Sequence, residues 1–150
     1  MRGNPRFLRS WIGLFALLLI CAGCGLKSDP IPPTVKLPAA ITDLSVESSR
    51  EGILLAWSVD PLGKIDTFRL FRSEPVRASE ACPGCPQEYR PLRSITVTDT
   101  GLRSEEGKKF YYVDWDVRTD YFYTYRIAVC DRGGHCGALS NEAGLIHTGR

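Results

Sequence analysis

The chain has 150 residues, of which 43% are hydrophobic and 24% charged, with a formal net charge of +2 at pH 7. Three of its 19 basic residues, Arg2, Arg6 and Arg9, lie in the opening stretch, so the rest carries 16 bases against 17 acids. A near-neutral body excludes the basic footprint of a nucleic-acid binder. Met1 to Arg9 holds no acid, and the 11 residues Trp11 to Cys21 are almost wholly apolar. A spanning helix needs about 20 such residues. A basic start, a short greasy run and the small pair Ala22-Gly23 therefore predict a cleaved export signal over residues 1–23.

The exit of that signal, Cys21-Ala22-Gly23-Cys24, resembles the lipobox of bacterial lipoproteins, with Cys21 where Leu is usual. The resemblance implies cleavage before Cys24, a diacylglyceryl group on its thiol, and acylation of the new amine. Covalent lipid on Cys24 is then the only non-protein group expected, with no cofactor and no metal. Multiple acyl chains anchor durably, at about 0.8 kcal/mol for each buried methylene. The mature chain is expected to sit on a membrane of the bacterial cell envelope without spanning it. Gly25, rather than Asp, follows Cys24. By the same analogy this favours the outer membrane, with the domain facing the periplasm.

Residues 24–38 form the lipidated N-terminus and a proline-rich linker, with Pro30, Pro32, Pro33 and Pro38. That composition predicts a semi-extended tether. Cys24-Gly25-Leu26-Lys27 followed by Pro32-Pro33 also looks like the start of small lipoproteins associated with lipopolysaccharide assembly. It implies an alternative role in which the tether contacts an outer-membrane machine.

From Ala39 the hydrophobic pattern has period two. Leu44 and Val46 alternate with Ser45 and Glu47; Ile53, Leu55 and Trp57 with Leu54, Ala56 and Ser58; Phe68 and Leu70 with Arg69 and Phe71. Tyr123, Tyr125, Ile127 and Val129 alternate with Thr124, Arg126 and Ala128. Such alternation marks strands with one buried face. Turn residues fall at 48–52, 60–63, 83–86, 99–101 and 133–134, and there is no sustained helical stripe. About seven short strands in a single domain over 39–150 predict an all-β sandwich.

The same segments resemble a fibronectin type III domain, an immunoglobulin-like fold. The first strand would be Ile41 to Val46, the second Ile53 to Val59 with Trp57 as core tryptophan, and the third Ile65 to Ser73. The last hairpin would run from Tyr123 to Asp131, through Gly133-Gly134, to Ser140-Asn141-Glu142. Tyr123, opening the penultimate strand, is the natural tyrosine-corner residue, its hydroxyl tied to nearby backbone.

Removing Cys21 and lipidating Cys24 leaves Cys82, Cys85, Cys130 and Cys136, an even set that reads as two disulfides in an exported chain. In a fibronectin-like sandwich the two pairs fall at opposite ends and cannot share one zinc. This favours Cys82–Cys85 and Cys130–Cys136. A redox role for Cys82-Pro83-Gly84-Cys85 would need a helix N-terminus at the first thiolate, which the sequence does not offer.

No nucleophile elbow or phosphate loop is present, and a non-catalytic protein is expected. His135 reads as a solvated turn residue and His147 as a frayed one near the C-terminus. Asp114 and Asp116, which could share a face, read as a strand end entering a turn. If Phe68 and Tyr125 point inward, Arg69, Phe71 and Arg126 form an aromatic-basic patch on an outer face, with residue types favoured at interfaces. The expected function is a membrane-anchored module binding an envelope protein or glycan through that face or its loops.

Overall fold

A computed structural model of the chain describes residues 36–59 and 65–150. The signal, Cys21, Cys24, almost all of the proline-rich linker and the turn at 60–63 lie outside the described residues. The elements are β1 (Ser45–Ser49), β2 (Gly52–Ser58), β3 (Ile65–Ser73), β4 (Val76–Arg77), a 3₁₀ turn (Ala78–Glu80), β5 (Tyr89–Thr96), β6 (Arg103–Glu105), β7 (Lys109–Asp114), β8 (Tyr121–Asp131) and β9 (Ala143–Ile146). One sheet has the order β1-β2-β7-β6. In the other, β8 lies between β9 and β3, β5 flanks β3, and the short β4 pairs with the start of β8. All pairings are antiparallel. The domain is an all-β, fibronectin type III-like sandwich.

Alternation produces this arrangement directly. Ile53, Leu55 and Trp57 of β2 and Phe110 and Tyr112 of β7 face inward. They meet Phe68 and Leu70 of β3 and Tyr123, Tyr125, Ile127 and Val129 of β8. Trp57 is 1% exposed. Its ring meets Phe68 edge-on at 5.2 Å and stacks on Phe110 at 6.2 Å, so one aromatic cluster joins the two sheets. Such a plug dominates a small core. The Trp57 Nε1 has no hydrogen-bond partner among the described residues, so its indole contributes volume rather than polarity.

The tyrosine corner is present: the Arg118 backbone N–H donates to the Tyr123 hydroxyl at 2.8 Å. The first strand begins later than the alternation suggested, at Ser45. Before it, Asn141 brackets Leu44, accepting its N–H at 3.0 Å and donating to its carbonyl at 2.9 Å. An amide side chain thus replaces strand pairing there, while Ile41 and Leu44 still fill the core.

His147 is not frayed; it is 5% exposed. Its backbone N–H donates to Tyr121 and its carbonyl accepts from Asp120, both at 2.9 Å, and Nδ1 lies 3.0 Å from the Ser48 hydroxyl. β9 continues along the start of β8, and that pairing carries the C-terminal segment into the domain. At the opposite margin of the same sheet, β5 presents an open edge containing Pro91 between Arg90 and Arg93, with a bulge opposite Leu70-Phe71.

Candidate functional site

The site grows from a close approach at the end of β7. Gly52 opens β2 with φ +146°, and a Cβ there would collide with the Asp114 carbonyl oxygen and lie 2.9 Å from Trp115 Cα. Only glycine accommodates both that φ and that contact. The chain of β7 therefore presses onto β2 where it leaves the sheet, which fixes the backbone on both sides of Asp114.

Asp114 turns inward and is 2% exposed. Its Oδ2 accepts from Arg72 Nη1 at 2.7 Å and from the Tyr125 hydroxyl at 2.9 Å, and its Oδ1 accepts from the Asp116 N–H at 3.2 Å. Arg72 and Tyr125 belong to the other sheet, so this is a buried ionic tie between layers. Burial pushes the Tyr125 phenol far up, and the neighbouring Asp114 charge pushes it further. Burial alone would lower Arg72, but the hydrogen bond to Asp114 and its charge outweigh it and the net shift is upward. Asp116 is solvent-facing, its side chain 86% exposed. The two acids therefore do not act as a matched carboxylate pair. Asp114 is engaged in structure, and the strand end entering a turn is what the geometry displays.

Trp115, between them, points the other way and is 61% exposed. It stands at one end of an open groove of about 610 Å³ on the outer face of the β1-β2-β7-β6 sheet. Leu54 and Val113, partners across β2 and β7, form the floor together with Tyr111. Glu51, in the β1–β2 turn, and Arg103, on β6 opposite Tyr111, supply polar groups. The Arg103 guanidinium lies 4.9 Å from the Tyr111 ring centroid, and Arg93 of β5 lies 5.9 Å from that of Trp115. An aliphatic floor, an exposed indole and hydrogen-bonding groups at the margin can hold an amphiphilic ligand with apolar faces and polar edges. No group here is placed as a nucleophile beside a base.

The sequence pointed to the other outer face, and its three residues do share that face. Phe71 and Arg126 are register partners across β3 and β8, and Arg69 lies two positions along β3. Arg69 is exposed, but Phe71 and Arg126 are half-buried. Arg126 lies over the Tyr89 ring at 5.2 Å and pairs with Glu142 at 3.5 Å, and the Tyr89 hydroxyl also bonds Glu142. These contacts engage Arg126 within the domain.

The cysteines pair as Cys82–Cys85 and Cys130–Cys136. The first pair follows the carbonyl end of the 3₁₀ turn at 78–80, not the amide end that lowers a thiol's pKa. The second clasps the β8–β9 turn, where His135 is exposed and lies 3.3 Å from Asp131. The backbone N–H of His135 holds the Asp131 carboxyl below its ordinary value, helped by the His135 ring and the Gly133 N–H.

No family model matches the sequence, and no curated protein matches it. Among solved structures the chain is similar to a Fn3-like protein from Clostridium thermocellum, at 24% identity and TM-score 0.47, over 73% of this chain and 93% of that one. It is also similar to a pectate lyase from Pectobacterium carotovorum, at 17% identity and TM-score 0.46, over 71% of this chain. A pectate lyase from Erwinia chrysanthemi, in complex with tetragalacturonic acid, gives 17% identity and TM-score 0.47, over 71% of this chain. The match spans 27% and 28% of the two lyases' own lengths.

Proposed function

We propose that this chain is a non-catalytic lipoprotein of the bacterial cell envelope, anchored through lipid on Cys24, whose sandwich binds glycan in the Trp115 groove. The observation that carries the binding reading is the 61% exposure of Trp115 at the mouth of an apolar, polar-rimmed groove. Trp115 is not a scattered residue: it adjoins Leu54, Tyr111 and Val113 in one lining, and a contiguous exposed apolar patch, rather than a single side chain, marks an interaction site. A flat indole matches the C–H face of a sugar ring, and Glu51 and Arg103 can bond its hydroxyls. The anchor reading is supported by the leader's layout and by Cys24 following Ala22-Gly23.

Retention of the protein on a panel of immobilised polysaccharides tests the binding reading. The native protein is expected to be retarded by at least one polymer and Trp115→Ala by none, with the two melting within about 2 °C of each other because the substitution is superficial. Indifference of the native protein to every polymer would overturn it. For the anchor, Cys24→Ala is expected to accumulate as an unlipidated precursor; normal maturation of that variant would contradict the lipid attachment.

A further inference from the structure

Resting on the glycan reading of the groove, we propose that the ligand is an acidic saccharide chain, bound along the β6–β7 side with its carboxylates facing Arg103, Lys109 and Arg93. Lys109, Tyr111 and Val113 alternate on the outer face of β7, each step of two residues advancing ~6.6 Å. A row of that kind suits a linear chain better than a single ring. Arg103 and Lys109 lie 4.9 and 5.5 Å from the centroid of Tyr111 on this row, and Arg93, reaching from β5 of the other sheet, lies 5.9 Å from that of Trp115 at the row's end.

Among the described residues none of these three cations is in an ion pair. Their charge is therefore available to a ligand. Of the nearby acids, Glu105, the register partner of Lys109, accepts from the Tyr111 hydroxyl at 2.9 Å and keeps its charge, so the β6–β7 side is basic by the excess of its cations over this carboxylate; Asp114 is spent inside the domain. Glu51 and Glu47 stand on the other flank, toward β1, where Glu47 is the register partner of Leu54. The groove thus has a basic side and an acidic side. A polyanionic chain is drawn to the first and repelled by the second, which fixes its lateral position as well as its charge.

The full-length protein, purified in detergent, is titrated with alginate and hyaluronan and with their carboxyl-reduced forms, which keep the sugar rings and lose the charge. Binding to an acidic polymer is expected to weaken about tenfold on carboxyl reduction, since a charge-assisted hydrogen bond contributes enough for such a factor. Lys109→Gln, which removes a cation but no group assigned to the sugar hydroxyls, should weaken the acidic form and leave the reduced form unchanged. Glu51→Gln should tighten the acidic form. Equal affinity for charged and reduced polymers would overturn the acidic preference while leaving the glycan reading intact. Failure to bind any of the four while another polysaccharide retains the protein would overturn the acidic preference alone; failure with every polymer would overturn both. Polyglutamate binding as tightly as alginate, and insensitive to Trp115→Ala, would identify the groove as a general anion surface and also refute the proposal.

Discussion

The two outer faces of the sandwich obey the same alternation rule and end in opposite states. On the β9-β8-β3-β5 face, Tyr89, Arg126 and Glu142 interlock. Thr124 donates its N–H to the Ser73 hydroxyl at 3.2 Å and is 1% exposed although it points outward. On the β1-β2-β7-β6 face, Arg103, Lys109 and Glu51 make no ion pairs among the described residues, and Trp115 stands in solvent. Residue type alone does not make a binding surface; both faces hold arginine and aromatics. What separates them is that Arg126 is half-buried and ion-paired to Glu142, whereas Arg103 and Lys109, though they lie over Tyr111, are exposed and without an acid partner among the described residues.

The comparison breaks most completely if the shared core fails. Trp57→Ala is expected to cost about 3–5 kcal/mol and abolish both faces at once, whereas Trp57→Phe, which keeps a ring and loses only an unbonded N–H, should cost roughly half as much; denaturant melts read both. Next comes the inter-sheet tie. Asp114→Ala leaves the Tyr125 hydroxyl without its acceptor and Arg72 with only Asp116, whose carbonyl accepts at 2.8 Å, and should cost about 3 kcal/mol, loosening the Trp115 end before the Tyr89 end. Amide exchange resolved by residue checks the order, and uniform loosening would contradict it.

Tyr89→Ala sharpens the contrast by opening the closed face. A stability loss of about 1 kcal/mol is expected from the lost Arg126 and Glu142 contacts, with faster exchange at the Thr124 amide and no change at Val113. The smallest effect lies off both faces, at the β8–β9 turn. Asp131 has a folded-state pKa below its ordinary 3.8, so its contribution is present above about pH 4 and is lost as pH falls through the folded value. The Gly133 and His135 amide resonances should shift with a midpoint below 3.8, with the rest of the spectrum unmoved. A midpoint above the ordinary carboxylate value would reverse the assigned direction.

The fold was largely legible because alternation is a local signal: Ile53, Leu55, Trp57 and the run from Tyr123 to Val129 announced their faces two residues at a time. The tyrosine corner followed from Tyr123 opening the penultimate strand, and the cysteine pairing from where the fibronectin resemblance places the two pairs. What stayed hidden was set by neighbours distant in sequence. The hairpin at Glu106-Gly107 has φ +51° and +64°, and a glutamate in that region gives no warning by type. The burial of His147 depends on Ser48, 99 positions away. The groove needed the β6–β7 pairing to place Arg103 opposite Tyr111, and Trp115 read only as the residue between two acids. Alternation placed Arg69, Phe71 and Arg126 on one side, but the contacts of Arg126 with Tyr89 and Glu142 were not readable, since neither residue is adjacent to it in sequence.

The open margin of β5 carries one more consequence. Exposed strands template growth, each bare backbone donor and acceptor inviting another copy to add on. Pro91 removes a donor in mid-strand, and Arg93 beside it sets like charge against like when copies pair in parallel register. Copies crowded together at high local density would therefore resist zipping into ribbons, and the protein can be numerous without becoming a fibre.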